Sequence, residues 1–163
     1  MIERTLVLIK PDGVKRALIG ECISRFEKRG LKIIAIKMKW ADKAFAMKHY
    51  TEDITQRRGE KVRNNLIDFI VSGPVVAMVV EGVQAVEAVR KIVGDTEPRS
   101  AMPGTIRGDF AHVSYNHADA TNKAVANLIH ASSSTEEAKQ EIAIWFNDDE
   151  IHGYKTSHEE HVF

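Results

Sequence analysis

The run SGPVVAMVVEG, residues 72–82, constrains the fold more than any other stretch of the chain. From Val75 to Val80 every side chain is apolar, and all but two are valine. Side chains alternate between the faces of a strand, so a run this apolar cannot turn either face to water. It predicts an interior strand, bounded by Ser-Gly-Pro before it and Glu-Gly after it. The following GVQAVEAVRKIVG has helical spacing, with Val83, Val86, Val89, Ile92 and Val93 expected on its inner side.

The rest of the chain supplies partners for that strand. RTLVLIK near the start is β-rich and ends in KPDG, where Pro and Gly suit a type I turn and leave Lys10 at the mouth of the strand. From Leu18 to Arg29 the apolar residues Leu18, Cys22, Ile23 and Phe26 recur at helical spacing, with Gly30 as the stop. LKIIAIKMKW alternates with a phase shift at Ala35 and Ile36, which reads as a strand with a bulge. Residues 42–51 and 60–71 carry helical patterns, and the charged EDITQRRGE between them is expected to be exposed. GDTEPRSAMPGTIRGDF reads as a long irregular loop, a type that tends to be functional. AHVSYNHADATNKAVA is too weakly patterned to assign. A short strand over Leu128–Ala131 and a helix from Thr135 to Phe146 complete the chain, with Ser134 and Glu137 as a capping box.

This order predicts an α+β fold: a ferredoxin-like sandwich, a four-stranded antiparallel sheet with helices on its faces. A doubly wound parallel sheet is the competing arrangement, and neither GxGxxG nor GxxxxGK[ST] occurs to support it. The 163 residues read as a single domain over 1–163. Lys and Arg number 23 and Asp and Glu 23, a balance that argues against a nucleic-acid or anionic-membrane partner. The first apolar run, Leu6–Ile9, is far shorter than a signal or spanning segment, so a cytoplasmic protein is expected. Cys22 is the only cysteine and reads as a buried, inert thiol.

The chemistry gathers in NLIHASSSTEEAKQEIAIWF, residues 127–146. Glu141 falls at the edge of the helical stripe Ala138, Ile142, Trp145. If the strand carrying His130 packs beneath that helix, Glu141 can accept a hydrogen bond from one imidazole nitrogen and present the other as a neutral nucleophile. The competing reading has Glu141 reaching solvent and His130 as a satisfied core histidine. Arg99, Thr105, Arg107 and Gly108, with Arg90 and Lys10, could converge on a polyphosphate, for which the planar arginine fork is suited. Each of these cations taken singly also reads as a solvated surface charge. In the tail, His158 and His161 are one residue short of HExxH spacing, so solvated tail is the better reading and no protein metal site is expected.

TLVLIKPDGV, SGPVVAMVVEG, PGTIRGDF and NLIHASS, in that order and over nearly the whole chain, resemble nucleoside diphosphate kinase. The resemblance implies ping-pong transfer of a γ-phosphate from a nucleoside triphosphate to a nucleoside diphosphate through a phosphohistidine, with Mg²⁺ accompanying the nucleotide. By match to the family's motifs the nucleophile is His130, Glu141 orients its ring, and Ser132 supports the glutamate. Lys10 matches a lysine that contacts phosphates and sugar, Asn127 an asparagine on the sugar 3′-hydroxyl, and Tyr50 a tyrosine close to the nucleophile. Arg90, Thr96 and Arg107 match the phosphate-binding set. Where the family stacks an aromatic ring on the base, this chain has Val62, with Leu66 nearby and Phe69 as a possible substitute. After the histidine it has Ala131, Ser132, Ser133 where Gly, Ser, Asp is usual. Two segments are longer than usual, around Thr55–Lys61 and between Phe110 and Asn127; the second would cover the site, extend a subunit contact or decorate the surface. The resemblance further implies a homo-oligomer, a hexamer with the Pro98–Pro103 loop in its contacts. A non-catalytic nucleotide-binding or interaction module on the same fold is the alternative.

Overall fold

A computed structural model describes residues 1–162. Strands β1 (Ile2–Ile9), β2 (Lys32–Lys39), β3 (Val75–Val83) and β4 (Ile129–Ala131) form one antiparallel sheet in the order β2-β3-β1-β4. This is the ferredoxin-like sheet expected from the sequence, with β3 interior between β2 and β1, and its antiparallel pairing excludes the doubly wound alternative. The register of β2 against β3 shifts between Ile33 and Ala35, where the alternation of the sequence breaks.

Both faces of the sheet are covered, which is why β1 is apolar from Leu6 to Ile9 and β3 from Val75 to Val80. Val7, Ile9, Val76, Met78 and Val80 face one layer, where α2 (Ile19–Glu27) contributes Cys22 and Phe26 and α6 (Ala85–Val93) contributes Val89, Ile92 and Val93. Leu6, Leu8, Val75, Ala77 and Val79 face the other layer, built from α3 (Lys43–His49), α5 (Glu60–Ile70) and α9 (Thr135–Trp145). Burial pushes the Cys22 thiol up to about 11, which leaves it protonated and unreactive at neutral pH.

Several local expectations are revised. KPDG does not end as a turn: Pro11 opens a short helix α1 (Pro11–Lys15), a position where its missing N–H costs nothing. Val83 belongs to β3 and is exposed, and Gln84 at φ +48 breaks the chain before α6 begins. EDITQRRGE is indeed exposed but helical, as α4 (Glu52–Arg58), with no buried residue. Thr105 caps α7 (Ile106–Phe110) inside the segment read as irregular, and the unassigned stretch contains α8 (Tyr115–Ala120). The helix-start box is half of the expected one: Ser134 Oγ accepts from Glu137 N–H, but the Glu137 carboxylate accepts from Ser133 N–H. The tail ends in α10 (Glu159–Val162), which has no buried residue. Among the described residues no helix is long and apolar enough to cross a membrane.

Candidate active site

The register of β4 on β1 sets the site. Leu8 pairs with His130, so the His130 side chain lies on the same face as Leu8, toward the layer that contains α9 and α3. Ser132, two residues on, shares that face. On α9 the residues Ala138, Glu141 and Trp145 are the buried ones, so Glu141 meets β4 by helical spacing alone. His130 Nε2 lies 2.8 Å from Glu141 Oε1, and Ser132 Oγ–H donates to Glu141 Oε2 at 2.6 Å. Burial works against the Glu141 charge, yet the His130 ring, His49 and the Ser132 hydroxyl outweigh it and hold the carboxyl below its ordinary range. An ionised Glu141 can only accept, so Nε2 of a neutral His130 carries the proton and Nδ1 keeps its lone pair. Among the described residues Nδ1 has no hydrogen-bond partner, and His130 lines a cleft of about 580 Å³.

The floor of that cleft is tied to β1 and α1. Lys10 N–H donates to Leu128 O at 2.8 Å, and Leu128 N–H donates to Asp12 Oδ2 at 3.0 Å. These bonds hold Leu128 at φ +69, a left-handed conformation costly for a branched side chain and typical of constrained functional segments. The Lys10 ammonium donates to Asn127 Oδ1 at 2.7 Å, and Asn127 Nδ2–H donates to Thr96 O at 2.8 Å. Burial, then the Arg107 charge, pulls Lys10 down to about 8. Arg107 is itself buried, spending N–H groups on the carbonyls of Asn127, Gly94 and Ile129. Its burial lowers it to about 10, so it stays charged at neutral pH.

Of the residues singled out in the sequence, Lys10, Tyr50, Val62, Leu66, Arg90, Thr96, Arg107, Asn127 and His130 all line the one cleft. Glu141 and Ser132 stand behind His130 and do not line it. Arg99, Thr105 and Gly108 are not in the lining. Arg99 is exposed beside Glu97, while Thr105 Oγ1 accepts from Gly108 N–H as a helix cap. Phe69 is likewise absent from the lining and lies under the Lys10 ammonium, 5.9 Å from nitrogen to ring centre.

Sequence reasoning left two contributors unplaced and missed a third. Both longer segments reach the cleft: Arg57 and Arg58 of α4 come from the first, and Tyr115, Ala118, Asp119 and Lys123 from the second. Neither is surface decoration. The only signal available was their charge and length. The third is His49, whose ring lies 4.9 Å from that of His130. Among the described residues His49, His130 and Glu141 form the one cluster of three or more His, Cys, Asp or Glu side chains whose ligand atoms lie within 4.8 Å of one another. Their facing atoms are already engaged, His130 Nε2 by Glu141 and His49 Nδ1 by the Trp145 indole N–H. Chemically the site offers an imidazole with one free nitrogen, a carboxylate behind it and several cations beside it, which suits transfer of an anionic group through a covalent intermediate.

The nucleoside diphosphate kinase family model matches residues 3–151. The chain belongs to the nucleoside diphosphate kinase family. The nucleoside diphosphate kinase of Borreliella burgdorferi is 48% identical over all of this chain and 99% of its own length. That of Pyrococcus abyssi is 53% identical over 93% of this chain and 89% of its own. Among solved structures, a transition-state mimic of nucleoside diphosphate kinase from Borrelia burgdorferi with bound vanadate and ADP superposes with a TM-score of 0.97 at 48% identity, covering 99% of this chain and 96% of that one. The Pyrobaculum aerophilum NDP kinase gives 0.87 at 38% identity over 94% of this chain and all of that one. Family membership and the fold therefore agree.

Proposed function

We propose that this chain transfers the γ-phosphate of a nucleoside triphosphate to a nucleoside diphosphate by way of a phosphohistidine on His130. The observation that carries the reading is the His130–Glu141 pair: at 2.8 Å it fixes Nε2–H and leaves Nδ1 toward a cation-lined cleft. Nδ1 attacks the γ-phosphorus, a nitrogen–phosphorus bond forms, and the bond to the bridging oxygen breaks, releasing the diphosphate. The second diphosphate then attacks the phosphoryl group and restores the neutral ring. Glu141, backed by Ser132, offsets the positive charge that the ring acquires in between. Lys10, Arg90 and the N–H groups that Arg107 has left over stabilise charge on the bridging and equatorial oxygens. Asn127, Thr96 and Tyr50 position the sugar and phosphates, and Val62 and Leu66 give the base an apolar wall without an aromatic face.

Magnesium belongs to this reading as part of the substrate. The polar lining is mainly Lys, Arg, Thr and Asn, with Asp119 and Glu137 as its carboxylates, a donor set suited to an ion that arrives on phosphate oxygens. A cytoplasmic homo-oligomer, a hexamer, completes the reading, without a nucleic-acid or membrane partner. Supporting it are Ile36, Met38 and Trp40, exposed on and just beyond the edge strand β2, and Met102, exposed in the Pro98–Pro103 loop. Steady-state kinetics with two nucleotides test the chemistry: parallel double-reciprocal lines are expected, and lines that intersect, or no turnover, would overturn it.

A further inference from the structure

His49 is a buried imidazole that the mechanism above leaves unused. It closes α3, and its side chain is only 1% exposed. Its ring stands at 90° to that of His130, with centroids 4.9 Å apart, and it also contacts Tyr50 and Trp145 edge-on. The Trp145 indole N–H donates to its Nδ1 at 3.3 Å. That same Nδ1 lies 3.6 Å from Glu141 Oε1, the oxygen that His130 Nε2 engages at 2.8 Å. Nε2 is buried with no hydrogen-bond partner among the described residues.

The indole can only donate, so Nδ1 of His49 carries a lone pair and the proton sits on Nε2. In that tautomer Nδ1 has nothing to offer Glu141, and the carboxylate oxygen remains with His130. A protonated His49 would present N–H at Nδ1, oppose the indole and compete for Glu141. The groups facing it are His130 from β4, Glu141 from α9, Lys10 at the end of β1 and Tyr50 beside it. Burial is the main cause that lowers His49 to about 3, with His130 and Lys10 acting in the same direction and Glu141 against them.

We propose that His49 is a positioning residue for phosphoryl transfer, an inference that rests on the phosphohistidine reading: its imidazole walls one side of the His130 ring and leaves Oε1 of Glu141 to His130, while Ser132 keeps Oε2. His49 does not line the cleft, so its loss should misdirect the nucleophile without weakening nucleotide binding.

The test uses the full chain, γ-labelled ATP with Mg²⁺ in single-turnover rapid quench, and the variants His49→Ala and His49→Phe. His49→Ala should slow formation of acid-labile phosphate roughly tenfold or more while nucleotide affinity and KM change by less than about threefold. His49→Phe restores the wall and should return to within about threefold of the wild-type rate. Nitrogen-15 NMR of histidine in the unmodified protein should show His49 neutral, protonated on Nε2, at neutral and mildly acidic pH. A wild-type rate for His49→Ala, a His49→Phe far slower than wild type, or a charged or Nδ1-protonated His49 would overturn the proposal. If His49→Ala does not fold, the phenylalanine variant and the NMR decide it. A wild-type protein that forms no acid-labile phosphate would overturn the phosphohistidine reading and this inference with it. A labelled wild type with an equally fast alanine variant would overturn this inference only.

Discussion

Lys10 sits where its surroundings oppose its charge, and this gives the proposed site a pH signature. Burial and the neighbouring Arg107 lower its pKa to about 8. The ammonium is therefore present below that pH and lost as pH rises through it, and the attraction for phosphate goes with it. kcat/KM, which reports groups of the free enzyme, should fall on the alkaline side with a midpoint near 8. Lys10→Arg should remove that limb, since arginine stays charged throughout. A kcat/KM that stays flat from about pH 7 to about pH 10 would contradict the assignment. Arg107 has two duties, holding the carbonyls of Gly94, Asn127 and Ile129 and facing the cleft. Arg107→Ala should lose about 1.5–3 kcal/mol of transition-state binding and also lower the melting temperature. An unchanged kcat/KM would put Arg107 outside the phosphate site. At this scale the pairing of His130 with Glu141 was legible in advance, because both lie on one short segment and helical spacing says where a carboxylate can reach. His49 and Asp12 were not: their contacts are made across the fold, with Trp145 and Leu128, and no local spacing announces them.

Strand β4 is short and depends on its neighbours for its placement. Gly13 of α1 packs so closely against the end of β1 and the residue before β4 that an added Cβ would lie 2.8 Å from Ile9 Cγ2 and 2.9 Å from the Leu128 carbonyl oxygen. Leu128 is the left-handed residue that starts the turn into β4, and its carbonyl accepts from Lys10 N–H. Gly13→Ala should therefore destabilise the fold by about 1–3 kcal/mol and lower kcat together, read by thermal unfolding and by steady-state assay. If both stay at wild-type values, the contact does not constrain the site. Elements that bury a whole stripe were readable: β1 and β3 from unbroken apolar runs, α6 from its valines, and the bulge in β2 from one lost beat of alternation. α4 and α8 were not, since α4 buries no residue and α8 buries only Ala118, leaving no apolar period to find. Those two helices reach the cleft from the longer segments.

In the molecule as a whole, two helical layers cover the sheet, while Ile36, Met38 and Trp40 at its β2 edge remain open to solvent. A homo-oligomer would bury such a surface. Size-exclusion chromatography with light scattering should give a hexamer mass, and a monomer mass would contradict that part of the proposal. The layer between sheet and α9 is also what brings His130 to Glu141, so the fold and the proposed chemistry depend on one packing. The most direct test of that chemistry is to mix the protein with Mg²⁺ and γ-labelled ATP without acceptor, map acid-labile phosphate, and chase it with several nucleoside diphosphates. The account predicts label on His130 that passes to each acceptor and is absent from His130→Asn. Label elsewhere, or none despite measurable ATP binding, would contradict it and leave a nucleotide-binding module on the same fold.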